Sequence, residues 1–134
     1  MDNVANHGRK ILVVDDEPNV IRSLTFVLEK EGYDVSSATN GEGAMAKIQE
    51  SKPNLMLLDV MMPKKNGYEV CKEVKSNPSL SDIHIIMLTA KGQQADREKG
   101  LNAGANEFMT KPFSLKMIVG KVKEILENGH ENKG

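Results

Sequence analysis

The sequence predicts an α/β domain in which a five-stranded parallel sheet carries five helices on its two faces, the doubly wound architecture. Short apolar runs alternate five times with segments of helical period from Lys10 onward. Two of these runs, Ile11–Val14 and Leu55–Leu58, are continuously apolar, which is typical of strands covered on both faces. A chain of 134 residues is long enough for one such domain and too short for two ordinary ones.

The first two helices are marked by residues that start or stop a helix. Pro18 suits the first turn of the first helix, where its missing N–H has no intrahelical partner, and Gly32 is expected to end that helix with a positive φ. Tyr33–Ala38 is a more polar strand, as expected near a sheet edge. Thr39 and Glu42 have capping-box spacing at the start of the second helix. The predicted buried residues of the two helices are Val20, Leu24, Val27, Leu28, Ala44, Met45 and Ile48.

The third strand is expected to end in Asp59, and a loop containing Met62-Pro63 follows it. A third helix is marked by Gly67, Val70, Cys71 and Val74. The segment Asn77–Asp82 has the composition of a loop, and Ile83–Leu88 is predicted to be the fourth strand.

The predicted fourth helix, Gln93–Asn102, has few residues that can face a core. Ala95 and Leu101 are its inward candidates, and Gly104 is expected to end it. The short segment Glu107–Thr110 is then the fifth strand.

The last helix is predicted to begin at Ser114, whose hydroxyl can cap the free N–H groups of the first turn. Phe113 can pack onto Ile118 as a hydrophobic staple. The buried stripe of this helix is expected to contain Leu115, Ile118, Val122, Ile125 and Leu126.

The domain is expected to cover residues 9–127, between a flexible N-terminal segment at 1–8 and a flexible, polar tail at 128–134. The initial Met1 and the polar tail favour a complete small protein, although the chain equally suits a domain cut from a longer one.

Composition argues against several classes of protein. The net charge of -1 shows no broad excess of Lys and Arg, so direct nucleic-acid binding is disfavoured. The apolar runs are too short to span a bilayer, and no apolar segment of signal-peptide length lies at the N-terminus. The lone Cys71 cannot form an internal disulfide, which agrees with a reducing compartment. We therefore expect a cytoplasmic protein.

Polar residues follow four of the predicted strands. Asp15 and Asp16 follow the first strand, Asp59 the third, Thr89 the fourth and Lys111 the fifth. Because ligands of open parallel sheets bind at the carboxyl ends of the strands, these five residues are expected to form one site. Three carboxylates at one place repel one another, and a hard divalent cation relieves that repulsion. Mg²⁺ is the predicted ion, with Mn²⁺ as an alternative.

This group of residues has what phosphoryl transfer to a carboxylate requires. Asp59 is the best nucleophile, because it stands alone at the end of a central strand while Asp15 and Asp16 form a pair. Lys111 and the cation can neutralise charge on the transferred group, and the Thr89 hydroxyl can hydrogen-bond it. Taken singly, each residue also has an ordinary explanation as a helix cap, a loop acid or a solvated lysine. Their shared position at strand ends favours the site.

With these residues the chain resembles the receiver domain of bacterial and archaeal two-component systems, over Arg9–Leu126. Together and in this order the matching segments are specific, whereas the acidic pair alone is a weak signal. The segments are Ile11-Leu12-Val13-Val14-Asp15-Asp16-Glu17, Leu58-Asp59-Val60-Met61-Met62-Pro63 with Gly67, Met87-Leu88-Thr89-Ala90, Gly104-Ala105-Asn106 and Lys111-Pro112-Phe113.

The resemblance implies a flavodoxin-like receiver fold, related to single-domain chemotaxis regulators, and a signalling role without separate enzymatic turnover. It implies that Asp59 accepts a phosphoryl group from a sensor histidine kinase or a histidine phosphotransfer protein. Asp16 would bind Mg²⁺ directly, Asp15 partly through water, and Met61 through its backbone carbonyl, with Asp59 completing the protein ligands. Lys111 would contact the phosphoryl group, and the Lys111-Pro112 bond is typically cis in such domains.

The resemblance also implies a switch. Thr89 is the switch hydroxyl and Phe108 the switch aromatic, where many relatives have Tyr, although Phe108 is equally well explained as a plain core residue. Met61 and Lys91 occupy variable positions that flank the water attacking the acyl phosphate, and the apolar Met61 predicts a long-lived phosphoryl state.

The polar fourth helix is expected to form an output surface with the fifth strand and the last helix, where Lys116, Lys121 and Lys123 lie. A solvated face with local ion pairs is the alternative explanation of its charges. A downstream protein, or an effector domain absent from this chain, would contact that surface.

Other functions fit less well. A flavin carrier of this architecture needs a phosphate loop after the first strand, where Asp15 and Asp16 would repel the anion. No Walker-type Gly-rich Lys motif is present. An aspartyl phosphatase needs a differently spaced acid pair. The remaining alternative is a receiver-like adaptor that works without phosphorylation, which need not retain this set of residues.

Overall fold

The computed structural model describes residues 9–62, 65–90 and 94–128, with the backbone alone at positions 90, 94–97 and 128. Within them the chain forms one parallel sheet of five strands in the order β2-β1-β3-β4-β5. The strands are β1 (Lys10–Val14), β2 (Asp34–Ala38), β3 (Leu55–Asp59), β4 (His84–Ala90) and β5 (Glu107–Lys111). The predicted doubly wound, flavodoxin-like fold is therefore confirmed.

Five α-helices connect and cover the strands. They are α1 (Pro18–Lys30), α2 (Gly41–Glu50), α3 (Gly67–Lys75), α4 (Gln94–Ala103) and α5 (Leu115–Lys123), and a π-helical turn at Glu124–Asn128 continues α5. No described helix combines the length and apolar character that crossing a membrane requires.

Several sequence expectations fall on residues outside the described part of the chain. These are the segments 1–8 and 129–134, Pro63, Lys91, and the side chains of Gln93, Gln94, Ala95, Asp96 and Arg97.

The sheet separates two apolar cores, because successive side chains of a strand point to opposite faces. Leu12, Val14, Met56 and Leu58 face the core beneath α2, α3 and α4. Ile11, Val13, Leu55 and Leu57 face the core beneath α1 and α5. The central strands β1 and β3 are consequently buried along almost their whole length, which fixes the positions of the residues at their carboxyl ends.

The ends of α1 and α4 share one geometry. Gly32 and Gly104 have φ values of 97° and 102°, as their roles in stopping the two helices predict. The Ala105 N–H donates to the Gly100 carbonyl at 2.9 Å, and the Gly104 N–H donates to Leu101 at 3.0 Å, which is the Schellman pattern.

The start of α2 corrects one expectation. Thr39 does not cap the helix; Asn40 does, with its Oδ1 accepting the Gly43 N–H at 2.8 Å. The helix begins one residue later than the capping-box spacing suggested. Asn40 and Thr39 are both able to accept the N–H of the third helical residue, so the spacing alone does not fix the start. The Ser114 cap of α5 is confirmed, since its Oγ accepts the Met117 N–H at 3.0 Å.

Two further details differ from the sequence expectations. Leu101 does not face the core but is 58% exposed, because Gly100 occupies the buried position beside it. The fourth strand begins at His84 rather than Ile83 and continues to Ala90, since Ala90 still pairs with Lys111 of β5.

Candidate functional site

Three aspartates converge at the carboxyl ends of β1 and β3, where the strand order reverses. Asp15 is fully buried, Asp59 is 6% exposed and Asp16 lies on the surface. One carboxylate oxygen from each lies within 4.8 Å of the other two. The central strands thus bring together the acidic residues that follow them in the sequence.

Local hydrogen bonds hold Asp15 where β1 passes into α1. Its backbone N–H donates to the Ala38 carbonyl at 3.2 Å, which extends the pairing of β1 with β2 by one residue. Its carboxylate Oδ1 accepts the backbone N–H of Glu17 at 2.9 Å. Pro18 then takes the first helical position, so the chain leaves the strand in a single turn.

The backbone at Asp59 is held by a close approach of α3. Val60 donates its N–H to Leu88 at 3.2 Å, and Gly67 donates to Val60 at 3.0 Å. A Cβ atom at Gly67 would overlap the Asp59 carbonyl oxygen and lie 2.9 Å from Val60 Cα. Only glycine therefore fits at this helix start, which the sequence had marked without giving a reason.

Asn66 and Glu69 fix the same helix start. The Glu69 N–H donates to Asn66 Oδ1 at 3.0 Å, and the Asn66 N–H donates to Glu69 Oε1 at 2.9 Å. This reciprocal capping box satisfies two free N–H groups of α3.

Lys111, at the end of β5, lies opposite the aspartates. Its Nζ is 2.9 Å from Asp15 Oδ2, 3.5 Å from Asp59 Oδ1 and 3.5 Å from Glu17 Oε1. Burial lowers the pKa of Lys111, but its hydrogen bond to Asp15 and the surrounding carboxylates outweigh that effect and raise it overall. Lys111 is therefore a cation in this site. The Lys111-Pro112 bond is cis, as expected.

One ammonium does not balance the acidic cluster. Burial and the nearby charge of Asp15 raise the pKa of Asp59 from 3.8 to about 6, although Lys111 acts in the opposite direction. A group of three converging carboxylates, one of them resisting ionisation, fits a small divalent cation with oxygen ligands. Asp15, Asp16 and Asp59 are the side chains that could hold it.

The other predicted site residues lie on β4, on β5 and in the loop after β3. Thr89 is 2% exposed and follows Leu88, the residue that pairs with Asp59. Phe108 pairs with Met87 and packs against the core beneath α4. Met61 follows β3 with 69% of its surface exposed. The parts that Thr89, Phe108 and the Met61 carbonyl play remain predictions.

Glu17 is a member of this site to which the sequence gave no role. Its carboxylate approaches Lys111 from the surface, whereas Asp15 approaches it from the interior. Its position directly after Asp16 at a strand end was a signal that could have identified it.

Comparison with known proteins identifies what the chain resembles. The model of the family described as "Response regulator receiver domain" matches residues 11–123. The alkaline phosphatase synthesis transcriptional regulatory protein PhoP of Bacillus subtilis (strain 168) is 47% identical over 119 residues, which are 89% of this chain and 49% of that protein. The chain thus spans about half the length of this curated relative.

Two solved structures have the same fold. A CheY-like response regulator receiver domain protein from Methanospirillum hungatei JF-1 matches with a TM-score of 0.85 and 31% identity, over 94% of this chain and 98% of that chain. The Mn(2+)-bound form of response regulator Rcp1 matches with a TM-score of 0.80 and 31% identity, over 89% of this chain and 95% of that chain.

Proposed function

The chain belongs to the response regulator receiver domain family, and from this membership and its acidic site we propose that Asp59 accepts a phosphoryl group from a phosphohistidine. The donor is a sensor histidine kinase or a histidine phosphotransfer protein. One observation carries the proposal: Asp15, Asp16 and Asp59 converge on a single point with the Lys111 ammonium beside them.

In the proposed transfer, an Asp59 carboxylate oxygen attacks the phosphorus atom while the phosphorus–nitrogen bond breaks and imidazole leaves. Asp59 must be ionised to attack, and the ammonium of Lys111, 3.5 Å from its Oδ1, favours the anion. Lys111 also lies where it can neutralise oxygens of the arriving group. Mg²⁺, or Mn²⁺ in its place, would neutralise the remaining charge when held by Asp15, Asp16, Asp59 and the Met61 carbonyl.

The response to phosphorylation is proposed to begin at Thr89. Its hydroxyl would donate a hydrogen bond to a phosphoryl oxygen, and the change would spread to Phe108 and to the surface formed by α4, β5 and α5. A downstream protein, or an effector domain outside this chain, would then bind that surface. The protein is proposed to act in the cytoplasm, where the kinase domains of sensor histidine kinases lie.

Met61 is proposed to prolong the phosphorylated state. Its side chain is exposed two residues after Asp59 and has no polar group able to orient an attacking water. The variant Met61→Asn is expected to lose the phosphoryl group several-fold faster, measured as acyl phosphate remaining over time. Equal decay in both proteins would contradict this part of the proposal.

Phosphorylation can be tested directly with acetyl phosphate in the presence and absence of Mg²⁺. We expect one phosphoryl group per chain, stable in acid and labile in base, only when the metal is present. The variant Asp59→Asn should gain none, whereas Asp34→Asn, at an exposed carboxylate at the opposite end of β2, should react as the unchanged protein does.

The competing function is a receiver-like adaptor that acts without phosphorylation. It predicts no adduct on Asp59 with any small phosphoryl donor, and partner binding that Asp59→Asn leaves unaltered. The convergence of all three aspartates, two of which pair with Lys111, argues against it.

A further inference from the structure

A glycine lies in the middle of α4, where glycine is an unfavourable residue. Gly100 is buried, and the helix continues three residues beyond it to Ala103. Glycine in a helix interior loses more conformational freedom on folding than alanine does. The residue is therefore explained if a neighbouring group occupies the volume that a side chain would fill.

The space at Gly100 is filled by an aromatic ring. A Cβ atom added there would lie 2.5 Å from Cε2 of Phe108, closer still to Cζ, and 3.0 Å from Sδ of Met87. These atoms belong to neighbouring residues of β5 and β4, because Met87 pairs with Phe108 in the sheet. The ring of Phe108 thus lies directly against the backbone of α4.

Little else on the described part of α4 attaches it to the sheet. Over positions 98–103, the exposed side chains are those of Glu98, Lys99, Leu101 and Asn102, and Lys99 Nζ lies 5.8 Å from the centre of the Tyr68 ring of α3. Ala103 packs against the core and is small. The contact between Gly100 and Phe108 is consequently the main apolar contact of this part of the helix with the sheet. Helix α3 holds it from the side, where the Cys71 thiol donates to the Ala103 carbonyl oxygen at 3.5 Å.

The same two strands connect this contact to the acidic site. Met87 is two residues before Thr89 in β4, and Phe108 is three residues before Lys111 in β5. A new group at Asp59 could displace the end of either strand. The displaced residues would then be only two or three positions along the chain from Met87 or Phe108.

We propose that Gly100 is a positioning residue: its missing side chain admits the Phe108 ring beneath α4, and this contact sets where α4 lies on the sheet. In the response proposed above, the Gly100–Phe108 contact is the point at which the Phe108 ring acts on α4. The second statement rests on the proposed function, whereas the first does not.

The first statement is tested by melting temperatures in a double-mutant cycle. Gly100→Ala should lower the melting temperature, whereas in a Phe108→Leu background, which lacks the Cζ and Cε2 atoms, it should raise it by roughly 3–5 °C. Gly120→Ala is the matched control, because Gly120 lies inside α5 with no atom within 4 Å of an added Cβ. It should raise the melting temperature in both backgrounds. An increase from Gly100→Ala in the otherwise unchanged protein equal to that from Gly120→Ala would overturn the proposal.

The second statement is tested by amide hydrogen exchange over residues 98–103, before and after acetyl phosphate with Mg²⁺. We expect phosphorylation to change the exchange rates several-fold, and Gly100→Ala to change them beforehand so that phosphorylation adds little. If Asp59 is phosphorylated and α4 responds equally in both proteins, the inference fails alone. If Asp59 takes no phosphoryl group, the proposed function fails, and the melting cycle still decides the role of Gly100.

Discussion

The acidic site and α4 are neighbouring regions with opposite construction. At the site, Asp15 and Asp59 are almost completely buried, and each follows a central strand whose residues are buried on both faces. In α4, the described side chains are mostly exposed, and the buried position is a glycine. The site is held by strands that are packed on both faces, whereas the described part of α4 contributes few buried side chains of its own.

Under the proposed function, this difference suits the two regions to separate tasks. Phosphoryl transfer needs atoms held in a fixed arrangement, which a buried strand end provides. A conformational response needs an element whose position changes at low free-energy cost, which is what weak attachment provides.

Lys111→Met should produce the largest loss, because it removes the cation from a site with an excess of carboxylates. We expect the rate of phosphorylation by acetyl phosphate to fall by about 100-fold, as when one preorganised charge-stabilising group is lost. The metal-free variant should also lose about 2 kcal/mol of unfolding free energy, since Asp15 keeps its burial but loses its ion pair.

The matched control is Lys123→Met, which removes an exposed lysine that pairs with Glu31 at 3.2 Å. An exposed pair contributes about 0–1 kcal/mol, so this variant should react and unfold nearly as the unchanged protein does. If both variants lost phosphorylation rate and stability equally, the effect of Lys111→Met could not be assigned to the charge balance of the acidic site.

Asp59→Asn should stabilise the metal-free protein at neutral pH. A carboxyl whose pKa is raised from 3.8 to about 6 favours folding while protonated, so its contribution is present below pH 3.8 and is lost as the pH rises through about 6. The ionised group then costs about 2–3 kcal/mol, which the amide removes. Urea unfolding in a chelator at pH 4 and pH 7 measures the difference.

The same variant also tests whether a divalent cation binds at the acidic site. Adding Mg²⁺ at pH 7 should raise the melting temperature of the unchanged protein, because a ligand bound only by the folded state stabilises it. It should do so much less for Asp59→Asn, which has one anionic oxygen ligand fewer. A chelator-independent melting temperature in the unchanged protein would contradict the metal site.

Cys71 reports on the core beneath α4. It is fully buried, its Sγ lies 3.5 Å from the Ala103 carbonyl oxygen, and burial raises the pKa of its thiol from 9.0 to about 11. Because the pKa of the thiol is raised in the folded state, its contribution to the stability of the fold is full below pH 9 and is lost as the pH rises through about 11. Between pH 8 and pH 10 the unfolding free energy should fall by about 1 kcal/mol more than in Cys71→Ala.

The central architecture was predictable because parallel strands that are buried on both faces have continuously apolar sequences. Ile11–Val14 and Leu55–Leu58 are continuous apolar runs, and the residues after them must meet at one sheet edge. The convergence of Asp15 and Asp59 follows from that rule without side-chain detail. Gly32 and Gly104 were equally readable, since the backbone at both positions requires a positive φ.

What the sequence did not reveal depends on alternatives that differ by little free energy. Thr39 and Asn40 are adjacent and both able to cap, so the packing of α2 decides between them. The reasons for Gly67 and Gly100 are close approaches between segments distant in the sequence, which no local pattern records.

Leu101→Ala should have the smallest effect, and it tests the contrast between the buried acidic site and the exposed helix α4. The sequence placed Leu101 inside because it is an apolar residue in a polar helix, yet it is 58% exposed while Gly100 takes the buried position. Removing an exposed leucine side chain should change the unfolding free energy by less than about 0.5 kcal/mol, against about 2–5 kcal/mol for a buried leucine such as Leu28. A loss at Leu101 as large as that from Leu28→Ala would mean that α4 is anchored by its own side chain, and the contrast between a rigid site and a loosely held helix would fail.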